Sequence, residues 1–412
     1  AGLFGLLGAV PVSARALADT DFDLVRAEVD RYVAEGKVAG MIAAIGFGQA
    51  DPEYMAAGHP ALTSPDPVTA DTLWRIYSMT KPITGMAAMI LIDEGKMSLD
   101  QPLADILPAF ADMQVQVTPD GSITDLKPAK SQITIRELLT HSAGLGYSII
   151  QKGPIKQAYI DAGAIPGQVS KTLFPGMDRG EPAPSLEVFA DNLAKLPLVY
   201  EPGTKWSYSV GLDLMGRVIE VVSGMPFDAF LQQRIFDPLD MTSTFFTVPA
   251  KDIERLSTNY APVGGALIPL DPGNDSRYSE PPAFPFGGAG LVSSARDYDK
   301  FLKMLVGKGA MGSTRILSEV AAMKGMSNLL PEGVDTKGTW VEDQGFGAGG
   351  RVGLGNARSP AGTYGWGGAA GTVAFVDTIR GMRAGGYTQY MPAEIYPFQA
   401  EFPALVYRDL MG

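Results

Sequence analysis

The 412-residue chain has no cysteine, only two histidines (His59 and His141) and fewer basic than acidic residues. The absence of cysteine excludes disulfides, thiolate metal sites and a cysteine nucleophile. Two histidines argue against a histidine-based zinc site. The net charge of −12 argues against a nucleic-acid partner, because phosphate binding needs a basic surface. No apolar run reaches the length of a membrane span, so the composition predicts an ordinary globular protein.

Residues 1–18 are the least ordinary part of the sequence. They are apolar and then small, and Ala16-Leu17-Ala18 is similar to a signal-peptidase site directly before Asp19. If this segment is the remnant of an export signal, the protein is periplasmic. If it is a short helix or arm packed on the domain, a cytoplasmic protein is expected. The sequence leaves both interpretations open.

Hydrophobic periodicity predicts a helix–strand–helix beginning, a mainly helical middle and a return to strands. Helices are predicted at 21–35, 81–95, 134–144, 185–197, 212–224, 226–239 and 397–411. Strands are predicted at 38–48 and 53–58, and a strand meander at 362–391. Residues 145–190, rich in glycine and proline, are expected to be extended loop. The pattern indicates an α/β (α+β) protein with a discontinuous domain (19–110 and 285–412) and an inserted, mainly helical domain (111–284).

The stretch WRIYSMTKPITGMAAMILIDEG contains Ser78 and Lys81, the one Ser-x-x-Lys spacing in the chain. Residues three apart on a helix share a face, so the two side chains can exchange a proton. Chance alone supplies about one such spacing in a chain of this composition. A serine nucleophile needs a base and an oxyanion stabiliser. No Gly-x-Ser-x-Gly occurs, which argues against an ordinary α/β-hydrolase and leaves a lysine, kept uncharged by burial, as the base.

Several segments along nearly the whole chain, among them the one that contains Ser78 and Lys81, are similar to those of a known family. In chain order they are YSMTK, ITIRELLTHSAGLGY, YEPGTKWSYSVGLDLMGRVIEVVSG, FDPLDMTSTFF, FGGAGLVSSARDY and YGWGGAAGTVAFVD. Together they resemble the serine β-lactamase-like superfamily, and within it family VIII carboxylesterases, relatives of class C β-lactamases. The resemblance implies a β-lactamase-like fold, an antiparallel sheet flanked by helices, with the active site between the two domains.

The resemblance also implies a role for individual residues. Ser78 would be the acylated nucleophile and Lys81 the general base, with Tyr208 relaying a proton to the leaving group. The backbone N–H groups of Ser78 and Ala369 would form the oxyanion hole. Trp366 would line the acyl or alcohol pocket. No cofactor or metal would be needed, and the partner would be a small-molecule ester.

Two departures from class C β-lactamases favour ester substrates. Val210 stands where those enzymes carry an asparagine that holds the β-lactam side chain, and valine donates no side-chain hydrogen bond. Trp366-Gly367-Gly368 stands in place of Lys-Thr-Gly, whose lysine binds the substrate carboxylate. Loss of that charge-assisted contact removes about 1.5–3 kcal/mol and favours uncharged, hydrophobic esters, although weak β-lactam hydrolysis remains compatible with the shared chemistry.

Three other functions stay open at the level of sequence. The chain could be a class C-like β-lactamase or D,D-peptidase, a transacylase, or a non-catalytic penicillin-recognising protein. His141, within LLTHSAGL, is interpreted as a helix-terminal histidine that bonds local backbone or interacts with the helix dipole, rather than as a catalytic base.

Overall fold

The structure is a computed structural model that describes residues 20–165, 167, 169–171, 180–356 and 359–411. The prediction for residues 1–18 lies outside the described residues. The helices of the described chain are α1 (Asp23–Ala34), α2 (Thr80–Asp93), α3 (Ile135–Leu139), α4 (Gly153–Asp161), α5 (Leu186–Leu193), α6 (Gly211–Ser223), α7 (Phe227–Leu231), α8 (Ala295–Val306), α9 (Glu319–Gly325) and α10 (Phe398–Met411).

The strands are mostly short and alternate with these helices towards both ends of the chain. They are β1 (Gly40–Phe47), β2 (Glu53–Gly58), β3 (Leu73–Arg75), β4 (Gln114–Gln116), β5 (Leu126–Pro128), β6 (Thr244–Phe245), β7 (Asn259–Val263), β8 (Ala266–Asp271), β9 (Val292–Ser294), β10 (Ala310–Met311), β11 (Thr314–Arg315), β12 (Gly345–Phe346), β13 (Arg351–Val352), β14 (Thr363–Gly367), β15 (Val373–Asp377) and β16 (Met382–Tyr387).

The main sheet joins the two ends of the chain. Its seven strands lie in the order β12-β13-β14-β15-β16-β1-β2, and every neighbouring pair is antiparallel. The register pairs Ala44 of β1 with Gly385 of β16, which fixes the N-terminal hairpin against the C-terminal meander. The predicted antiparallel sheet flanked by helices is therefore confirmed.

Each face of the sheet packs against a different set of helices, as the two-residue period of a strand requires. Val373 and Phe375 of β15 join a cluster with residues of α1 and α10. Ala374 and Val376 point to the other face and join the main core around α2. Helix α2 is buried from Thr80 to Leu91, which identifies it as a core helix whose apolar surface extends around its circumference.

The sequence-based prediction is wrong in one segment. Helix α4 (Gly153–Asp161) lies within the 145–190 stretch that was expected to be loop. Its Gly-Pro start resembles a turn, yet proline at a first helical position is compatible with helix because its missing N–H would have no partner there. Ile155, Tyr159 and Ile160 are buried and stabilise the helix. The division into domains at 110/111 and 284/285 stays a prediction.

Candidate active site

Ser78 lies in a 3₁₀ turn (Tyr77–Met79) that connects β3 to the first turn of α2. The preceding Tyr77 has a φ of +41°, in the left-handed region that costs a non-glycine residue roughly 1–2 kcal/mol. Behind the turn, the fully buried Arg75 guanidinium is paired with Asp271 and hydrogen-bonded to Ser276. This saturated network anchors the strand that leads into the strained turn.

The structure brings Ser78, Lys81 and Tyr208 together. Tyr208 donates from its hydroxyl to Ser78 Oγ at 2.7 Å, and Lys81 Nζ lies 3.3 Å from the same oxygen. Lys81 Nζ also lies 4.4 Å from the centroid of the Tyr208 ring. One serine oxygen is thus within hydrogen-bonding distance of two groups that can move its proton.

Lys81 is hydrogen-bonded to the Gly288 peptide, which is in turn hydrogen-bonded to the buried carboxyl of Asp213. Lys81 Nζ donates to the Gly288 carbonyl at 2.7 Å, and Gly288 N–H donates to Asp213 Oδ1 at 2.8 Å. Burial raises the pKa of Asp213 to about 6, while the charge of Lys81 and the Gly288 hydrogen bond act in the opposite direction. Asp213 Oδ2 is buried with no hydrogen-bond partner among the described residues. Asp213 therefore positions the Gly288 peptide against Lys81.

His141 positions the segment that carries Tyr208. Ser209 N–H donates to His141 Nδ1 at 3.2 Å, and the Ser209 hydroxyl lies 2.9 Å from the same nitrogen. Burial, followed by the charge of Lys81, holds the pKa of His141 well below its usual value, so the ring is neutral at pH 7. Of the two contacts expected for His141, the bond to local backbone is wrong, because the partner of Nδ1, Ser209, lies 68 residues further along the chain. The interaction with the helix dipole stays a prediction.

The end of β14 closes the other side of the nucleophile turn. A Cβ on Gly368 would lie 2.3 Å from the Ile76 carbonyl oxygen, so this position must be glycine for the two backbones to meet. Gln399 donates to the Gly368 carbonyl at 2.6 Å and fixes the turn from α10. Ala369 is exposed, and its N–H has no acceptor among the described residues. The backbone N–H predicted for the oxyanion hole is thus available beside the nucleophile turn.

Aromatic rings surround Tyr208 on several sides. Its ring centroid lies 5.9 Å from that of Trp366, 5.5 Å from that of Tyr147 and 5.0 Å from that of Trp340. Trp366 is 7% exposed, whereas Trp340 is 52% exposed and stands at the outer side of the cluster. Sequence reasoning found Trp366 but not Tyr147 or Trp340, whose positions depend on how loops fold over Tyr208.

Gly367 and Val210 complete the residues predicted for substrate binding. Gly367 ends β14 next to Trp366. Val210 precedes α6, and its side chain is fully buried in the main core. The structure therefore places Trp366, Gly367 and Gly368 along the strand beside the nucleophile but does not bring the Val210 side chain to the surface of the cleft. Direct contact between Val210 and a substrate stays a prediction.

Within the described ranges, no three His, Asp or Glu side chains come close enough to hold a metal ion. A search of the same residues for long, apolar helices also finds none able to cross a membrane. The chemistry that the geometry supports is that of the side chains and backbone groups described above.

A seven-stranded antiparallel sheet with a Ser-x-x-Lys turn and a distant tyrosine on the serine defines a protein of the serine β-lactamase-like class. The chain matches the Beta-lactamase family over residues 25–406 and belongs to that family.

Individual relatives include both characterised and uncharacterised proteins. An uncharacterized protein of Mycobacterium tuberculosis is 34% identical over 259 residues, and that alignment covers 61% of this chain and 58% of the relative's length. Esterase EstB of Burkholderia gladioli is 31% identical over 336 residues, 77% of each chain. Among solved structures, EstCE1, described as a hydrolase with promiscuous acyltransferase activity, superposes with a TM-score of 0.75 and 25% identity, covering 97% of this chain and 99% of that one.

Proposed function

We propose that the protein is a serine carboxylesterase that hydrolyses short-to-medium acyl esters through an acyl-enzyme on Ser78. The observation that carries the proposal is the position of Ser78 Oγ, 2.7 Å from the Tyr208 hydroxyl and 3.3 Å from Lys81 Nζ. A structural serine at a helix start would need neither a buried lysine nor a tyrosine on its oxygen. The esterase activity named for EstB supports the same class of reaction.

In the proposed reaction, Lys81 removes the Ser78 proton as Oγ attacks the ester carbonyl. The oxyanion that forms accepts hydrogen bonds from the N–H groups of Ser78 and Ala369. Tyr208 protonates the departing alkoxide, which leaves an acyl group on Oγ. Water then attacks the acyl-enzyme with the same groups assisting, and the acid is released.

The walls of the site support an ester with an apolar body. Trp366 and Trp340 both pack against the Tyr208 ring, and Trp366 stands where the resemblance puts the lysine of a class C β-lactamase. Aromatic side chains gain free energy mainly by removing apolar surface from water. Acyl or alcohol groups of several carbons are therefore the expected substrates, and weak β-lactam hydrolysis is compatible with them.

Parallel assays with p-nitrophenyl butyrate and a chromogenic cephalosporin test the proposal. We expect kcat/KM to be far larger for the ester, and Ser78→Ala to abolish both activities. Ser313→Ala, an exposed serine in the turn between β10 and β11, is the control and should match the wild type. A larger kcat/KM for the cephalosporin would favour a β-lactamase or D,D-peptidase, and no turnover of either would favour a binding protein.

A second candidate is acyl transfer to an alcohol in place of water. It is favoured by EstCE1, whose description as a hydrolase includes promiscuous acyltransferase activity. Adding an alcohol acceptor during ester turnover separates the two, because a transferase forms a new ester in preference to the free acid. Product analysis by mass spectrometry measures that partition.

A further inference from the structure

Arg351 is unusual among the arginines of the described chain. Its side chain is half-buried, yet its guanidinium makes no ion pair and no hydrogen bond with any described residue. Every other described arginine that is withdrawn from solvent has a partner: Arg75, Arg136, Arg217, Arg234, Arg255, Arg277 and Arg383. Among the residues that the structure describes, Arg351 thus has a charge with no compensating partner.

The position of Arg351 connects it to the candidate active site. It begins β13, and the loop before it packs on Lys81: a Cβ on Gly349 would lie 2.2 Å from the Lys81 carbonyl oxygen. Its guanidinium carbon lies 5.7 Å from the centroid of the Trp366 ring. Trp366 in turn packs against Tyr208, the residue that donates to Ser78. The free cation therefore lies on the aromatic wall of the cleft.

An unpaired guanidinium in this setting is poised to bind an anion. Burial lowers the pKa of Arg351, and no acid in the described part of the chain offsets that effect. Arginine nevertheless stays protonated at neutral pH. The contact with the Trp366 ring satisfies none of the five N–H donors of the guanidinium. A ligand that supplies two acceptor oxygens would satisfy them, and a carboxylate matches the guanidinium fork.

We propose that Arg351 binds a carboxylate carried by the ester substrate, so that the preferred substrates are monoanionic esters with an apolar body. The proposal rests on the esterase function proposed above and narrows its substrate class. A carboxylate is favoured over a phosphate because the described site offers a single unpaired guanidinium, which balances one negative charge rather than two. The expectation of uncharged substrates came from the missing cation at Trp366, and Arg351 supplies that cation from the neighbouring strand.

Two matched pairs of esters test this specificity. In the first, the carboxylate is on the acyl side: mono-p-nitrophenyl adipate against p-nitrophenyl hexanoate. In the second, it is on the alcohol side: 4-carboxyphenyl butyrate against phenyl butyrate. Arg351→Met keeps an apolar stem on Trp366 and removes the charge. Arg408→Met, an exposed arginine on α10, is the control for losing one positive charge from the whole protein.

We expect Arg351→Met to lower kcat/KM at least tenfold for the anionic ester of one pair, chiefly through KM, and to change that of its neutral partner less than twofold. Arg408→Met should change neither. The carboxylate-binding proposal would be overturned if Arg351→Met affected the anionic and the neutral ester of a pair equally, or if it affected neither anionic ester. In that case, Ser78-dependent hydrolysis of the neutral esters would still support the esterase function. No Ser78-dependent hydrolysis of any ester would overturn both.

A competition experiment on the wild-type protein covers the case in which Arg351→Met fails to fold. Monomethyl adipate and dimethyl adipate are compared as competitors of p-nitrophenyl hexanoate hydrolysis. We expect the monoanion to compete at a concentration at least tenfold lower than the neutral diester. Equal or weaker competition by the monoanion would contradict a carboxylate subsite on the acyl side. For the alcohol side, 4-carboxyphenyl butyrate and phenyl butyrate are compared as competitors in the same way.

Discussion

The buried ionisable groups on the two sides of the nucleophile turn differ in how fully they are hydrogen-bonded. Behind Ser78, Arg75 donates to Asp271, Ser276, Gln389 and the Ser257 carbonyl, and all four partners are themselves buried. In front, Asp213 Oδ2 and His141 Nε2 have no partner among the described residues. A saturated network stabilises one geometry, whereas unsatisfied groups beside a cleft remain available to a substrate or to water. The contrast separates residues that hold the fold from residues that position the candidate active site.

The largest effect on catalysis is expected when Lys81, on the cleft side of the nucleophile turn, is replaced. Lys81→Met removes the proposed base and should lower kcat by on the order of 10²–10⁴-fold, since general-base catalysis contributes amounts of this size. Lys96→Met, an exposed lysine three residues beyond the end of α2, should leave kcat within twofold of the wild type. Steady-state kinetics with p-nitrophenyl butyrate measure both. A Lys81 variant with near-wild-type kcat would remove Lys81 from the mechanism.

A change behind the turn should affect folding more than chemistry. Asp271→Asn leaves the fully buried Arg75 without its counter-ion, and breaking such a pair costs about 3–5 kcal/mol of unfolding free energy. Asp100→Asn breaks the exposed Arg136 pair, which is worth about 0–1 kcal/mol. Urea denaturation compares the two. Equal losses would mean that the Arg75 network is not the anchor described above.

These two sides also differ in how far the sequence predicts them. Ser78 and Lys81 could be predicted because they lie within one helical turn, and the main helices and the C-terminal meander follow from hydrophobic period. Tyr208, 130 residues from Ser78, emerged only through the family resemblance. The roles of Asp213 and His141 could not be assigned from the sequence, because each depends on a contact between segments that are distant in the chain. Arg351 could not be assigned because what distinguishes it is that its guanidinium lacks a partner among the described residues.

A smaller, pH-dependent effect is expected at Asp213. Because burial raises its pKa to about 6, the folded protein holds the proton more tightly than the unfolded chain, so the carboxyl's stabilising contribution is present below pH 4 and lost as pH rises through 6. Asp213→Asn does not ionise. Its unfolding free energy relative to wild type should therefore rise by about 2 kcal/mol between pH 4.5 and pH 7.5.

Denaturation curves of wild type and Asp213→Asn at the two pH values measure this difference. The variant keeps an oxygen that can accept from Gly288 N–H, so the folded geometry should be retained. A relative stability that did not change with pH would contradict a buried, proton-retaining Asp213.

The smallest effect is expected at the outer wall. Trp340→Ala removes a half-exposed ring that packs on Tyr208, so we expect KM for p-nitrophenyl butyrate to rise several-fold with kcat within twofold. Val320→Ala, at a site 80% exposed, should change neither constant. A large fall in kcat with unchanged KM would instead indicate that Trp340 positions Tyr208 for the chemical step.

The claim that Ser78 is the nucleophile is tested most directly by covalent trapping. The wild-type protein is incubated with a serine-reactive phosphonate, digested and analysed by mass spectrometry beside Ser78→Ala. The account predicts one adduct per chain, located on Ser78 and absent from the variant. An adduct that persists in Ser78→Ala, or that maps to another residue, would contradict it.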